Sequence, residues 1–341
     1  MPPQAAQRFD LTILDTPFRS LPDPKRVWLG EPGSHEESLG RLNLLTPEIV
    51  AVAAKEEIKT GRRVGLAWDM TKLEFSQFGR QRCRHRIIPL PGPGGSGYGA
   101  CFDDEYRLNP QQSSQWDGFR HYSQPSNTLD PSSSQDRVFY GGTSKGEIMD
   151  ANNHRIGLHS WAKQGIAARG LLLDYKSYAD AHGIEYKNFS THAITFPTIQ
   201  AMLRWFKLTP RRGDVLLIRM GVMPEWDAWS VAEQEAYSKL ATPQHAGVDT
   251  SLDLLQWLWD SGLAAVAGDA ISFEVFPTPP AALSLHEYLL AGWGMPIGEL
   301  FDLETLAETC KQLHRYSFFL TSMPFNMPGA VSSPPNAMAI F

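Results

Sequence analysis

Gly170-Leu171-Leu172-Leu173-Asp174-Tyr175 is a short apolar run opened by glycine and closed by aspartate, and its reading decides the fold. A run of that length with those boundaries fits a strand buried on both faces. Three similar runs follow, at residues 214–220, 264–268 and 317–321. Helical patterns lie between them, at 198–206, 232–240, 251–259, 283–291 and 303–313. Apolar strands alternating with amphipathic helices predict an α/β chain, a single domain with a central mixed sheet flanked by helices.

Upstream of that region the pattern changes. Residues 1–45 are rich in proline, glycine and charge, including Pro22-Asp23-Pro24 and Glu31-Pro32-Gly33, and read as an irregular N-terminal arm. The main domain is therefore expected over residues 46–341. A helix is predicted at 46–59, where Thr46 can cap and Pro47 suits the first turn, with a strand after it at 63–68. Residues 89–99 hold three prolines and five glycines and read as a surface loop, and 124–136 reads as a second one. The polar segment between them, Gln111-Gln112-Ser113-Ser114-Gln115-Trp116-Asp117-Gly118-Phe119-Arg120-His121, is where a site is expected.

Composition excludes several classes. Hydrophobic residues make up 42% of the chain and charged residues 20%, a balance that fills a core. The net charge of −6 carries no basic stripe, and the clusters at 80–86 and 211–212 are short, so nucleic acid is not expected as a partner. Cys83, Cys101 and Cys310 are too few and too widely spaced for a disulfide framework or a cysteine zinc site. The start, MPPQAAQRFDLTILD, has no signal-peptide pattern, and no apolar run is long enough to span a bilayer. The expectation is a cytoplasmic protein without membrane contact, acting on a small molecule.

Two acid and imidazole pairs stand out. Asp117 and His121 are four apart, and if residues 115–117 are extended, Gln115 and Asp117 point to one face. That arrangement suits a cation or a water, although Gln, Asp and His in a polar loop also serve ordinary turn and capping hydrogen bonds. His286 and Glu299 flank Gly292-Trp293-Gly294-Met295-Pro296, which turns the chain back and can bring them together. A histidine among leucines is also an ordinary hydrogen-bonded core residue. His159 can line a pocket or be structural, and Arg219 at the end of an apolar run reads as one half of a structural ion pair.

The segment from Gln111 to His121 resembles the His-x-Gly-Thr-His-x-Asp-x-x-x-His motif of the cyclase and kynurenine-formamidase-like family. Asp117 and His121 match it directly, and Trp116 suits the same segment. The resemblance continues through residues 165–174 and 213–219, then through Leu285-His286 and Ile297-Gly298-Glu299-Leu300, and closes with residues 333–340. It implies a swivelling β/β/α-like fold and a centre of one or two divalent metals, zinc or manganese. By that resemblance Asp117, His286 and Glu299 are metal ligands, and Gln111 and Gln115 occupy the places of two ligand histidines. His121 is implied as the acid and base, with Asp117 beside it, while Trp116 and His159 are candidates for the substrate pocket.

The glutamines are the departure. An amide oxygen is a weaker, harder donor than imidazole and fits manganese, magnesium or calcium better than zinc. Two functions follow as expectations. The first is hydrolysis of an amide, formamide, lactam or ester bond of a small metabolite by metal-activated water. The second is a metal-independent cyclisation, dehydration or isomerisation run by Asp117 and His121. A homodimer or larger homo-oligomer is expected, with the N-terminal arm and the tryptophan-bearing helices as its interface.

Overall fold

The computed structural model describes residues 7–75, 78–91, 98–126, 136–278 and 283–341. Its strands begin with β1 (Arg63–Gly65), β2 (Arg84–Pro91), β3 (Tyr98–Arg107), β4 (Gln115–Asp117), β5 (Gln124–Pro125) and β6 (Arg137–Val138). Then come β7 (Ile166–Asp174), β8 (Ala193–Ile194), β9 (Val215–Arg219), β10 (Gly247–Val248) and β11 (Ala265–Gly268). The last are β12 (Ile297–Glu299), β13 (Ser317–Ser322), β14 (Ser332–Ser333) and β15 (Ala337–Ile340).

Nine of these form one mixed sheet in the order β1-β15-β13-β7-β9-β11-β12-β4-β14. The central four, β7, β9, β11 and β12, run parallel, as expected for strands joined through helices. The side chains of β7, β9 and β11 are almost wholly buried, which is why 170–173, 215–218 and 264–268 appear in sequence as apolar runs. Helices at Pro47–Glu57, Phe196–Trp205, Leu252–Asp260 and Glu304–Leu313 lie close to the expected spans. Ion pairs close the sheet's ends: Arg169 grips Asp214 with two bonds of 2.9 and 2.6 Å, and Arg219 bridges Asp174 and Glu304. No helix among the described residues is long and apolar enough to cross a membrane.

Several expectations change. The stretch 89–99 is not wholly a loop, because Pro89 to Pro91 and Tyr98 to Gly99 belong to the β2–β3 hairpin. Residues 92–97 lie outside the described part. Likewise 127–135 of the second loop are not described, while its ends pair as β5 and β6. The predicted strand at 63–68 shortens to β1, followed by a single bridge from Ala67 to Phe301. The closing segment 333–340 divides between opposite sides of the sheet: β14 pairs with β4, and β15 lies between β1 and β13.

Residues 7–45 hold 3₁₀ turns and one short helix, and they pack into the same core through Phe18, Trp28, Leu29, Leu39 and Leu42. Arg41 is fully buried and donates to the Leu263 carbonyl at 2.7 Å. Gly40, at φ +53°, lies so close to Gly294 that a β-carbon would sit 2.1 Å from its carbonyl oxygen. This contact anchors the segment against the turn that separates His286 from Glu299.

Candidate active site

The site is built on the short antiparallel pair β4 and β12, in which Gln115 lies opposite Glu299 and Asp117 opposite Ile297. Alternation sends Gln115 and Asp117 to one face and Trp116 to the other. Trp116 is accordingly buried edge-on against Phe301, with Nε1 donating to Ser322 Oγ at 2.9 Å. It supports the strand from behind and is no part of a pocket wall. Gly298, opposite Trp116, has no room for a side chain: a β-carbon would lie 2.6 Å from that of Ala267.

On the other face five sequence-selected residues converge. Gln115 Nε2 donates to Glu299 Oε2 at 2.8 Å, and Glu299 Oε1 accepts from the Phe273 amide at 3.1 Å. His286 Nε2 lies 3.4 Å from Glu299 Oε1 and 3.9 Å from Asp117 Oδ2. His121 Nε2 approaches the same Asp117 oxygen at 3.5 Å. One ligand atom each from Asp117, His121 and His286 falls within 4.8 Å of the others, so this trio can hold a cation.

Gln111, on the 3₁₀ turn Pro110–Gln112, enters through its amide nitrogen. Nε2 donates to Asp117 Oδ1 at 2.7 Å and to His121 Nδ1 at 2.8 Å. An ionised carboxylate only accepts, so its contact fixes which end of the amide faces the pair. The neutral His121 tautomer that matches carries its proton on Nε2, toward Asp117.

His286 precedes a π-helical turn, Glu287–Gly292, in place of the regular helix expected over 283–291. Such turns often occur where a helix must accommodate a site. Its partner was missed from sequence. Glu274 Oε2 accepts from the His286 amide at 3.0 Å and faces its Nδ1 at 3.4 Å, while Oε1 accepts from Ser284 Oγ at 3.1 Å. The available signal was a lone acid within the apolar run Phe273-Glu274-Val275-Phe276. Tyr122, also unremarked, sets its ring 5.2 Å from that of His286 and 6.2 Å from that of His121. His159 is placed elsewhere, with Gly329 as its hydrogen-bond donor and His154 as its ring neighbour.

Burial and charge act differently on the three titrating groups. Burial raises the Asp117 carboxyl, with Glu299 adding to the rise and His121 and His286 opposing it. Burial lowers His121, which favours the neutral, proton-accepting form, although Asp117 resists. For His286 burial again works against the charge, but Glu274 and Glu299 outweigh it and hold the ring well above its ordinary value.

The donor set fits a hard or borderline divalent cation. Gln115 Oε1 and Asp117 Oδ2 are buried without a hydrogen bond, and an acceptor left so is costly unless a cation or water meets it. Asp117, His121 and His286 each turn a ligand atom to one small space, and Glu299 Oε1 lies 3.4 Å from His286 Nε2 beside it.

A sequence profile described as "Putative cyclase" matches residues 64–275, more than half of the chain. The chain belongs to the cyclase family. A crystal structure described as a novel cyclase superposes on this family member with a TM-score of 0.74 at 26% identity, covering 90% of this chain and 97% of that one. Isatin hydrolase A from Labrenzia aggregata, bound to benzyl benzoate, matches with a TM-score of 0.52 at 16% identity, over 87% of this chain and 98% of its own. Isatin hydrolase A from Ralstonia solanacearum gives 0.54 at 14% identity, with 86% and 95% covered. At those identities the likeness to the isatin hydrolases is one of fold. No curated protein matches the cyclase-family chain in sequence.

Proposed function

We propose that this protein hydrolyses a carbon–nitrogen bond (amide, formamide or lactam) or an ester bond of a small metabolite, with a divalent cation and with His121 as acid and base. The observation that carries the reading is the convergence of Asp117, His121 and His286, with Glu299 beside His286 and with Asp117 Oδ2 buried without a hydrogen bond. Isatin hydrolases of the same fold support hydrolysis as the reaction class. Asp117, His286 and Glu299, with Gln115 alongside, would hold the cation, which would supply an acidified water and a polarised carbonyl.

The chain's own residues do the rest. His121, kept neutral by burial, would take the proton of the attacking water at Nδ1, the nitrogen that otherwise accepts from Gln111, so that bond gives way as the water enters. Asp117, 3.5 Å from the far nitrogen of the ring, stabilises the charge the ring then carries. The same proton returns to the leaving nitrogen or oxygen. Gln111 holds acid and base in register by donating to both. Manganese suits this mixed oxygen and nitrogen set better than zinc, and aryl formamides, the kynurenine-formamidase type of substrate, are the first compounds to assay.

That same Gln111 bridge favours a second reading, a metal-independent lyase or cyclase, because it assembles Asp117 and His121 without any ion. A panel of formamides, lactams and esters, assayed before and after chelation, separates the two. Hydrolysis that chelator abolishes and Mn²⁺ or Zn²⁺ restores, together with a loss of about 10²–10⁴-fold in His121→Ala, is expected. Turnover indifferent to chelator, with no stabilisation by either ion, would sink the cation-assisted reading.

A further inference from the structure

A cavity adjoins the candidate site at Gln111. Leu73, Phe75, Trp226, Ile271 and Leu300 give it apolar walls, and Arg80 and Gln111 lie among its polar groups. Its volume, about 20 Å³, admits a group little larger than a water and no aromatic ring. Gln112 fixes one wall by donating Nε2 to the Leu73 carbonyl at 2.7 Å.

Arg80 is the charge in this cavity without a counter-charge. Its guanidinium donates to the Gln111 carbonyl at 3.1 Å and lies 5.3 Å from the centre of the Phe78 ring, contacts that aim the group without neutralising it. Among the described residues no acid pairs with it, whereas its neighbours Arg82 and Arg86 pair with Glu74 and Glu105. Most of its N–H donors are uncommitted.

We propose that Arg80 receives a carboxylate of the substrate, so that the compounds turned over are amides or esters carrying a free acid a short spacer from the bond that is cut. This rests on the hydrolytic reading of the site and narrows its substrate class. Gln111 sets the spacer, because it bonds Arg80 through its backbone carbonyl and His121 through its side-chain amide. Charge sets the orientation. Asp117, Glu299 and Glu274 hold an anion off the remainder of the site, and Arg80 draws it in. Burial lowers His121 and His245, and the Arg80 charge adds to the lowering of both, so its field reaches the base. A carboxylate meets a guanidinium with two parallel bonds, and apolar walls strengthen the pair. A phosphomonoester, bulkier and with nearly two charges, exceeds both the cavity and its one cation.

Calorimetric titration of the full chain tests the assignment, with 2-formamidobenzoate, 3-formamidobenzoate and 2-formamidophenylacetate each compared with its methyl ester. At least one acid is expected to bind about 10–100-fold more tightly than its ester. Arg80→Gln should lose that margin and Arg80→Lys keep part of it. No margin in wild type for any of the pairs overturns the proposal. So does a margin that survives in Arg80→Gln, which would assign the carboxylate to the cation instead. Should Arg80→Gln not fold, the side-chain ¹⁵N resonance of Arg80 in wild type decides: a shift with the acid and not the ester supports the pair, and an unmoved resonance refutes it. Chelator-sensitive turnover of the same compounds is read separately. Turnover without an acid margin defeats the Arg80 assignment alone, and an Arg80-dependent margin without turnover defeats the hydrolytic reading alone.

Discussion

Replacing Glu274 with glutamine removes a charge from the partner of His286 and almost nothing else. The amide has the shape of the carboxylate and can keep both contacts, with its oxygen toward the His286 amide and its nitrogen toward the Ser284 hydroxyl, which can accept. What disappears is the negative charge 3.4 Å from Nδ1 in a pocket where Glu274 is only 5% exposed. A hydrogen bond to a charged group contributes about 1.5–3 kcal/mol and a neutral one about 1, so the loss is roughly 1–2 kcal/mol when the ring is protonated.

The sign with pH follows from His286. Its folded value is raised, so its contribution is fully present below the unfolded value of about 6.5 and is lost as pH rises through the folded one. Chemical denaturation of the metal-free protein should therefore show Glu274→Gln destabilised near pH 6 and close to wild type at high pH. The imidazole titration, followed by ¹⁵N NMR, should move down. Cation affinity or turnover should fall by about 10–100-fold, as for other groups that orient a ligand histidine. An equal stability loss at both pH values, or an unmoved titration, would show that Glu274 does not act on His286 through charge.

Three other outcomes are expected. Cation binding should release about one proton over the range where His286 is protonated in the free protein, so affinity rises with pH, as read by calorimetry in buffers of different ionisation enthalpy. Gly298→Ala forces a β-carbon to 2.6 Å from Ala267 and 2.9 Å from Phe301. A cost of about 1–3 kcal/mol in denaturation is expected, with weakened cation affinity because Glu299 is the next residue. Asp214→Ala strands the buried Arg169 guanidinium and should cost about 3–5 kcal/mol, measured by urea unfolding, while leaving the site's titrations in place.

The parts of the fold legible in sequence are those whose burial is two-sided. β7, β9 and β11 are covered on both faces, so apart from the ion-paired Arg169, Asp174 and Arg219 their residues are apolar or glycine and the runs declare themselves. β4 and β12 are equally buried but carry Gln115, Asp117 and Glu299, because one face is the site. Three residues with two polar members have no strand signature. The hairpin failed to show for the opposite reason. Residues 84–87 and 101–107 are exposed on both sides and β2 is interrupted by Pro89 and Pro91, so neither alternation nor a buried run marks the pair.

Site residues were legible where a motif carried them and hidden where only packing did. Asp117, His121, His286 and Glu299 sit in matching segments, whereas Glu274 reaches His286 from a bridge region beside β10 whose sequence neighbours say nothing of it. Gln111 shows best what spacing leaves open. Its position places it beside Asp117 and His121, yet an amide has two ends, and the end presented decides whether it coordinates or donates. Here the nitrogen faces the pair and takes Asp117 Oδ1 at 2.7 Å, which leaves Oδ2 as the oxygen shared by His121, His286 and any cation. On the cation-assisted reading proposed above, glutamine in place of histidine here exchanges one donor to a metal for a clamp on Asp117. On the proposed reading the balance of the site moves toward Asp117, whose Oδ1 is taken by the clamp while Oδ2 serves both the base and the ion.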